Sequence, residues 1–342
     1  MPTPSDTTSP EGPRRSLVTG GAGFIGSHLV ERLVQRGDDV VVVDDLSTGR
    51  RENLATGEHA IRFIESDLAD ALPTLTGEPP FDEVYHLAAA VGVDLVLADP
   101  IGSIERNIGL TGEVLRFAET HGRPRVLIAS SSEVYGKPGT LVFSEDDDVH
   151  YGPTTVTRWS YACSKAVDEF LAIAYHERRA TPTVVVRLFN TVGPRQVGTY
   201  GMVVPRFVTA ALAGDPIRVF GDGSQTRCFC DVRDVADALP RLLAHPPCLG
   251  RVFNLGSDRP ISIGDLAELV IDTLGSGSAV EMVAYTDAYP GGFEDLRHRR
   301  PDLSRIRQAI GFEPRVSLEQ TIRDVADHLR AQQDAPAEGA GS

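Results

Sequence analysis

Lysine is almost missing from this chain: of 33 basic residues only Lys137 and Lys165 are lysine, and arginine fills every other basic position. An arginine keeps its proton in a protein, so a lysine retained against this background marks chemistry that arginine cannot do. Cysteine is scarce too. Four residues (Cys163, Cys228, Cys230, Cys248) in 342 make no disulfide framework, and Cys228-x-Cys230 lacks the second pair that a zinc site needs. The expectation is a reduced, cytoplasmic protein with no bound metal. No apolar run reaches the length of a membrane span, and the Pro/Ser/Thr-rich N-terminus lacks the apolar core of a secretory signal. Positive charge is in deficit. Forty-eight acidic residues give a net charge of −15, which argues against nonspecific nucleic-acid binding. An anionic small substrate would therefore need a local cluster of arginines.

One of the two lysines lies in Arg158-Trp159-Ser160-Tyr161-Ala162-Cys163-Ser164-Lys165. Tyr161 and Lys165 are four apart, so on a helix they share a face. A lysine beside a phenol favours the phenolate and lowers its pKa. A phenolate near neutral pH can take a proton from a sugar hydroxyl while hydride leaves the same carbon.

A hydride needs an acceptor, and the N-terminus supplies a place for one. The strand Ser16–Thr19 runs into Gly20-Gly21-Ala22-Gly23-Phe24-Ile25-Gly26, followed by a helical pattern over Ser27–Gln35. Glycines at 20, 23 and 26 allow a tight turn, close approach of a pyrophosphate, and close helix–strand packing, with the helix N-terminus facing the phosphates. Val40–Val43 reads as a buried strand ending in Asp44-Asp45. Asp44 stands where an acid binds the adenosine ribose hydroxyls, and its charge repels a 2′-phosphate. The cofactor expected is NAD rather than NADP, although Arg50 and Arg51 lie nearby.

Further strands are expected at Ile61–Ile64, Glu83–Leu87, Val126–Ala129 and Thr183–Leu188, and a helix at Ile104–Glu119. Alternation of strands and helices means an α/β fold with a doubly wound parallel sheet. Asp67-Leu68 is placed to flank the adenine. Ala88 opens a small-residue loop that lets backbone approach the cofactor, and His86 reads as a packed strand residue. The fifth strand ends in Ser130-Ser131-Ser132-Glu133, three hydroxyls and a carboxylate where open parallel sheets bind their ligands.

The helix expected over Ser160–Glu177 is amphipathic and, with Ile104–Glu119, suited to building a homodimer. After Arg195 the character changes. Gly198–Gly201 reads as a flexible loop, Ile217–Phe220 as a strand, Val232–Leu243 as a helix, and Val252–Leu255 and Ile261–Ile263 as short strands. The arginine-dense stretch Phe293–Arg307 follows. The organisation expected is a disordered tail over 1–15, a Rossmann domain over 16–195, a smaller substrate-binding lobe over 196–330 with segments returning to the sheet, and a disordered tail over 331–342.

Together the glycine loop, Asp44, Ser130–Gly136, Tyr161/Lys165, Asn190–Arg195 and Gln225–Phe229 resemble the extended short-chain dehydrogenase/reductases that modify nucleotide sugars, from about Ser16 to Leu329. The resemblance implies NAD as cofactor, bound by Gly20, Gly23, Phe24, Ile25, Gly26, Asp44, Asp67, Leu68, Ala88, Tyr161 and Lys165. It implies a UDP-sugar held by Arg158, Asn190, Arg195, Arg227 and Arg297. It also implies a first step in which Tyr161 deprotonates a sugar hydroxyl and a 4-keto sugar forms.

Ser131-Ser132-Glu133 is similar to the Thr-Ser-Glu of UDP-glucuronate decarboxylases, as are Arg158, Arg227-Cys228-Phe229 and His298-Arg299-Arg300-Pro301. Val91–Asp94 departs from that pattern. Ser132 replaces the aspartate with which 4,6-dehydratases protonate a departing hydroxyl. The expected reaction is decarboxylation of UDP-glucuronic acid through a 4-keto intermediate to UDP-xylose or the 4-keto-pentose. UDP-sugar 4-epimerisation is the alternative, then 4,6-dehydration. In the decarboxylase reading Tyr161 is base and acid, Lys165 lowers its pKa and Ser131 holds the C4 oxygen. Ser132 and Glu133 orient sugar or water, and Arg227 either protonates C5 or grips the diphosphate.

Overall fold

The structure, a computed structural model, describes residues 13–54, 61–89, 99–137, 139–198, 202–284 and 298–334. The first half alternates strand and helix: β1 (Arg15–Thr19), α1 (Phe24–Arg36), β2 (Asp39–Asp44), β3 (Ile61–Glu65), α2 (Leu68–Leu75), β4 (Glu83–His86), α3 (Pro100–Thr120) and β5 (Arg125–Ser131). A single 3₁₀ turn, Ser132–Tyr135, carries the chain off β5. Then come α4 (Trp159–Arg179), β6 (Thr183–Leu188), β7 (Thr191–Val192), α5 (Val203–Ala213), β8 (Ile217–Phe220), β9 (Thr226–Cys228), β10 (Cys230–Asp231), α6 (Val232–Ala244) and β11 (Arg251–Leu255). The chain closes with β12 (Pro260–Ser262), α7 (Ile263–Leu274), β13 (Val280–Val283), β14 (His298–Arg299), α8 (Ser304–Ile310) and α9 (Leu318–Asp334).

Seven strands form one parallel sheet in the order β3-β2-β1-β4-β5-β6-β11. Strand side chains alternate between faces, so the Val40–Val43 run serves two cores. Val40 and Val42 pack with Leu29 and Leu33 of α1 and Val235 and Leu239 of α6. Val41 and Val43 pack on the other face with Leu72 of α2, Leu115 of α3 and Ala172 of α4. Each such buried aliphatic side chain contributes about 1.5–3 kcal/mol of transfer free energy. Strand order reverses between β1 and β4, which opens a crevice at their carboxyl ends. A third cluster, built on Phe207 of α5, Leu266 of α7 and Ile322 of α9, is the core of the smaller lobe. From the second half of the chain, β11 pairs with β6 in the main sheet and α6 packs on it.

The element boundaries differ from the sequence expectation in physically instructive ways. Helix α1 starts at Phe24 rather than Ser27, which takes Gly26 into its first turn. Ile263 belongs to α7, whose N-cap is Ser262, accepting from the Asp265 N–H at 2.9 Å. Arg14 pairs with buried Glu83, and Arg15 with Asp39 and Glu78, so these two residues are tied to the sheet. Helix α9 continues to Asp334. Helix α5 holds Pro205, and α2 holds Pro73, which hides both from a helix pattern.

Candidate active site

The glycine turn is built on close backbone contacts. Gly20 has φ +72°, and a Cβ there would lie 2.7 Å from the Ala88 nitrogen. A Cβ on Gly26 would lie 2.1 Å from the Gly20 carbonyl oxygen. Helix α1 has Gly23 at its N-cap and no side-chain cap, so its first N–H groups face the crevice without a competing side chain. The carboxylate of Asp44 is buried and accepts the Ala22 N–H and the Leu46 N–H, each at 2.9 Å. Burial raises its pKa, against the backbone donors that lower it. Asp44 therefore shapes the glycine loop as well as bordering it. A carboxylate has about four acceptor positions, so lone pairs remain for a ribose. These features fit a dinucleotide.

Two expected cofactor residues take other work. Asp67 is exposed and caps α2, accepting the Ala69 N–H at 2.9 Å. Leu68 is buried in the core beneath that helix. Phe24 and Ile25 open α1. His86 is a packed strand residue, as expected: it is buried, and its Nδ1 meets the Thr19 hydroxyl at 2.8 Å.

Tyr161 and Lys165 both face inward from the start of α4. The Ser131 side chain, beside the Tyr161 phenol, accepts the Glu133 N–H at 3.2 Å. The Tyr161 pKa, however, moves opposite to expectation. Burial raises it above the ordinary phenol value; the nearby Ser131 hydroxyl lowers it, while the charges of Glu133 and Asp168 raise it further. Lys165 donates to Asp168 Oδ2 at 3.1 Å, so its charge is spent on a carboxylate one turn along rather than on the phenol.

Glu133 is the centre of a second constellation. Arg158, just before α4, donates to one carboxylate oxygen at 3.3 Å, and Arg299 of β14 donates to the other. Burial would raise the Glu133 pKa, but the charges of Arg299, Arg158 and Arg227 outweigh it and hold the carboxyl ionised. Arg227 and Arg299 stand directly opposite each other on parallel β9 and β14. Like charges at such a pair repel, and the Glu133 carboxylate lies in the field of both. Three guanidinium groups around one carboxylate leave positive charge in surplus, the local cluster that the acidic composition requires.

The remaining expected residues divide. The amide nitrogen of Asn190 donates to the Cys228 carbonyl at 3.4 Å, and its backbone has φ +22°. Arg195, also left-handed at φ +69°, pairs with Glu31 of α1 rather than joining the Glu133 cluster. Ser132 is buried beneath the turn. Arg297 and Val91–Asp94 lie outside the described residues. Arg299 carries no site role in the sequence reading, where it stands only in the arginine-dense stretch and the His298–Pro301 likeness. Cys228 and Cys230 are buried, with thiol pKa values pushed up by burial, that of Cys228 to about 12.

The sequence pattern of the NAD dependent epimerase/dehydratase family matches residues 16–256. A UDP-N-acetyl-alpha-D-glucosaminuronate decarboxylase of Bacillus cytotoxicus is 40% identical over 318 residues, covering 93% of this chain and 98% of the relative. UDP-glucuronic acid decarboxylase 4 of Arabidopsis thaliana is 36% identical over 310 residues, covering 90% and 67%. A solved UDP-glucuronic acid 4-epimerase of Bacillus cereus, in complex with NAD and UDP-4-deoxy-4-fluoro-glucuronic acid, superposes with a TM-score of 0.83. It is 27% identical, and the match covers 93% of this chain and 99% of the other. The chain belongs to the NAD-dependent epimerase/dehydratase family of extended short-chain dehydrogenases/reductases.

Proposed function

We propose that the protein is a NAD-dependent decarboxylase of a UDP-uronic acid, UDP-glucuronic acid in the first instance, releasing CO₂ and forming UDP-xylose or its 4-keto precursor. One observation carries the reading: Glu133 sits ionised between Arg158 and Arg299, with Arg227 opposite Arg299, beside the Tyr161–Ser131 pair. NAD, when bound, supplies the hydride acceptor at C4. The protein's own groups do the rest. Tyr161 takes the C4 hydroxyl proton and later returns it, and Ser131 holds the C4 oxygen. A ketone at C4 is β to the C6 carboxylate, so CO₂ leaves readily once the electrons can drain into an enolate. The guanidinium cluster holds the carboxylate and then stabilises that enolate. Glu133 and Ser132 orient the sugar or the water that reaches C5. The place of Arg227 beside Arg299 supports work on the same anion, as C5 proton donor or as a grip on the diphosphate.

The Bacillus cytotoxicus relative favours a second substrate, the 2-acetamido uronic acid of its name. Purified protein incubated with each UDP-uronic acid and followed by mass spectrometry tests both. Loss of one CO₂ supports the decarboxylase and ranks the substrates. Unchanged mass with a new C4 proton pattern by NMR makes it an epimerase instead.

The α3–α4 pair exposes Ile101, Ile104, Val167 and Phe170, which supports pairing of this face with a second copy in a homodimer. Four unpaired thiols agree with a reducing, cytoplasmic setting. Among the described residues no helix is long and apolar enough to cross a membrane.

A further inference from the structure

We propose that Asp168 is a positioning residue for the catalytic pair: its carboxylate anchors the Lys165 ammonium along α4 and so governs how much of that charge reaches Tyr161. The inference rests on the reading of Tyr161 as the base.

The geometry is that of a buried ion pair. Lys165 is 3% exposed and Asp168 fully buried, with Nζ to Oδ2 at 3.1 Å. A buried ammonium needs a counter-charge, and an i,i+3 spacing on a helix provides one. Neighbouring elements enclose the pair. Helix α3 places the Thr111 hydroxyl beside Asp168 and ties Asn107 to Ser164 at 3.4 Å. Strand β4 brings His86, whose Nε2 has no partner among the described residues and whose ring lies in the field of Lys165. With its pKa lowered to about 3 by burial and by that field, His86 is neutral at any working pH and does not compete for the ammonium. Glu169, the next residue, is committed to Arg187 through bonds of 2.9 and 2.7 Å. Glu133 is committed to its arginines. Among the described residues, Asp168 is thus the carboxylate in contact with Lys165.

An ion pair acts on a third group as a dipole, which falls off faster than a lone charge. The phenol therefore meets the near-cancelled field of Lys165 and Asp168 together, and Asp168 itself opposes ionisation of Tyr161. The consequence is a base that stays protonated in the empty site. Its readiness depends on where Asp168 holds the ammonium, not on the presence of the lysine alone.

The test compares the parent with Asp168→Asn, which keeps volume and removes charge. Single-turnover NADH formation from the UDP-uronic acid is measured against pH. Asp168→Asn should move the acid limb down by about one pH unit, a gain of about tenfold in relative rate on that limb. Asp168→Glu should bring the limb back. An unmoved limb, or a rate lowered by one factor at every pH, would overturn the proposal while leaving the decarboxylase reading intact.

The scarcity of lysine offers a substrate-free readout. In protein labelled with ¹³C-lysine only Lys137 and Lys165 give side-chain signals. Asp168→Asn should move the Lys165 signal and leave that of Lys137 in place; two unmoved signals would refute the anchoring even if the parent proved inert toward every UDP-sugar. Should Asp168→Asn not fold, Asp168→Ser serves: it also removes the charge and should move the acid limb down in the same direction, whereas a limb left where the parent has it would sink the idea.

Discussion

Two halves of the crevice can be set side by side. On the cofactor side, Gly20, Gly23, Gly26 and Asp44 come from one β-α-β unit. Backbone groups take part in every link: the Ala22 N–H donates to the Asp44 carboxylate, the Ser27 N–H to the Gly23 carbonyl, and a Cβ at Gly26 would collide with Gly20. On the sugar side, Glu133 and Arg299 are 166 positions apart and touch only through side chains. Arg158 arrives from the head of α4, and Arg227 from a strand of the smaller lobe. A backbone device depends on the absence of atoms and fails when a methyl is added. A side-chain cluster depends on charge balance and fails when a charge is removed. The two halves should therefore respond to different substitutions with different readouts.

The largest effect is expected at their seam. Tyr161→Phe keeps the ring and removes the proton carrier, so it should lower NADH formation and CO₂ release by about 10²–10⁴ while NAD still binds. Equal losses in NAD binding and turnover would place Tyr161 in the cofactor half alone.

Gly26→Ala should break the cofactor half selectively. Its Cβ would meet the Gly20 oxygen at 2.1 Å and the Gly21 Cα at 2.8 Å, backbone that cannot give way without unmaking the turn. Overpacking of this kind costs about 1–3 kcal/mol or more. Weakened NAD binding by calorimetry, with UDP still bound by the sugar half, is the expected pattern. Parallel loss of both would mean that the halves fold as one unit.

The same contrast explains what was legible in the sequence. The glycine spacing, Val40–Val43 and Asp44 lie close together along the chain, and backbone rules relate them directly. Tyr161 and Lys165 were legible for the same reason, through helical periodicity. The partner of Lys165 was not, because an aspartate three residues on reads as one more charge on an amphipathic helix until burial is known. Arg299 was invisible as a partner of Glu133, since nothing local says that β14 will lie beside β9. The resemblance gives Arg195 to the sugar, whereas in the fold its backbone is left-handed and its guanidinium pairs with Glu31 of α1. Asp67 kept its place at the end of β3, but an aspartate just before a helix is first of all a cap.

Glu133→Gln tests the sugar half through charge, and its stability effect should be the smallest measured. The carboxyl is held below its ordinary pKa of 4.5, so its contribution to folding is fully present above that value and fades as pH falls through the folded pKa. At neutral pH the variant leaves three arginines facing a neutral amide, and the melting temperature should drop by a few degrees, on the order of 1–3 kcal/mol. As the medium is acidified, the melting temperatures of parent and variant should converge, because the parent's carboxylate then takes up a proton too. NAD binding should be unchanged at every pH, since no bond links Glu133 to the glycine loop, and CO₂ release should slow at neutral pH. A variant that melts with the parent at neutral pH would mean that solvent already screens the cluster. A gap that widens toward acid would mean that Glu133 is not the group holding the arginines together.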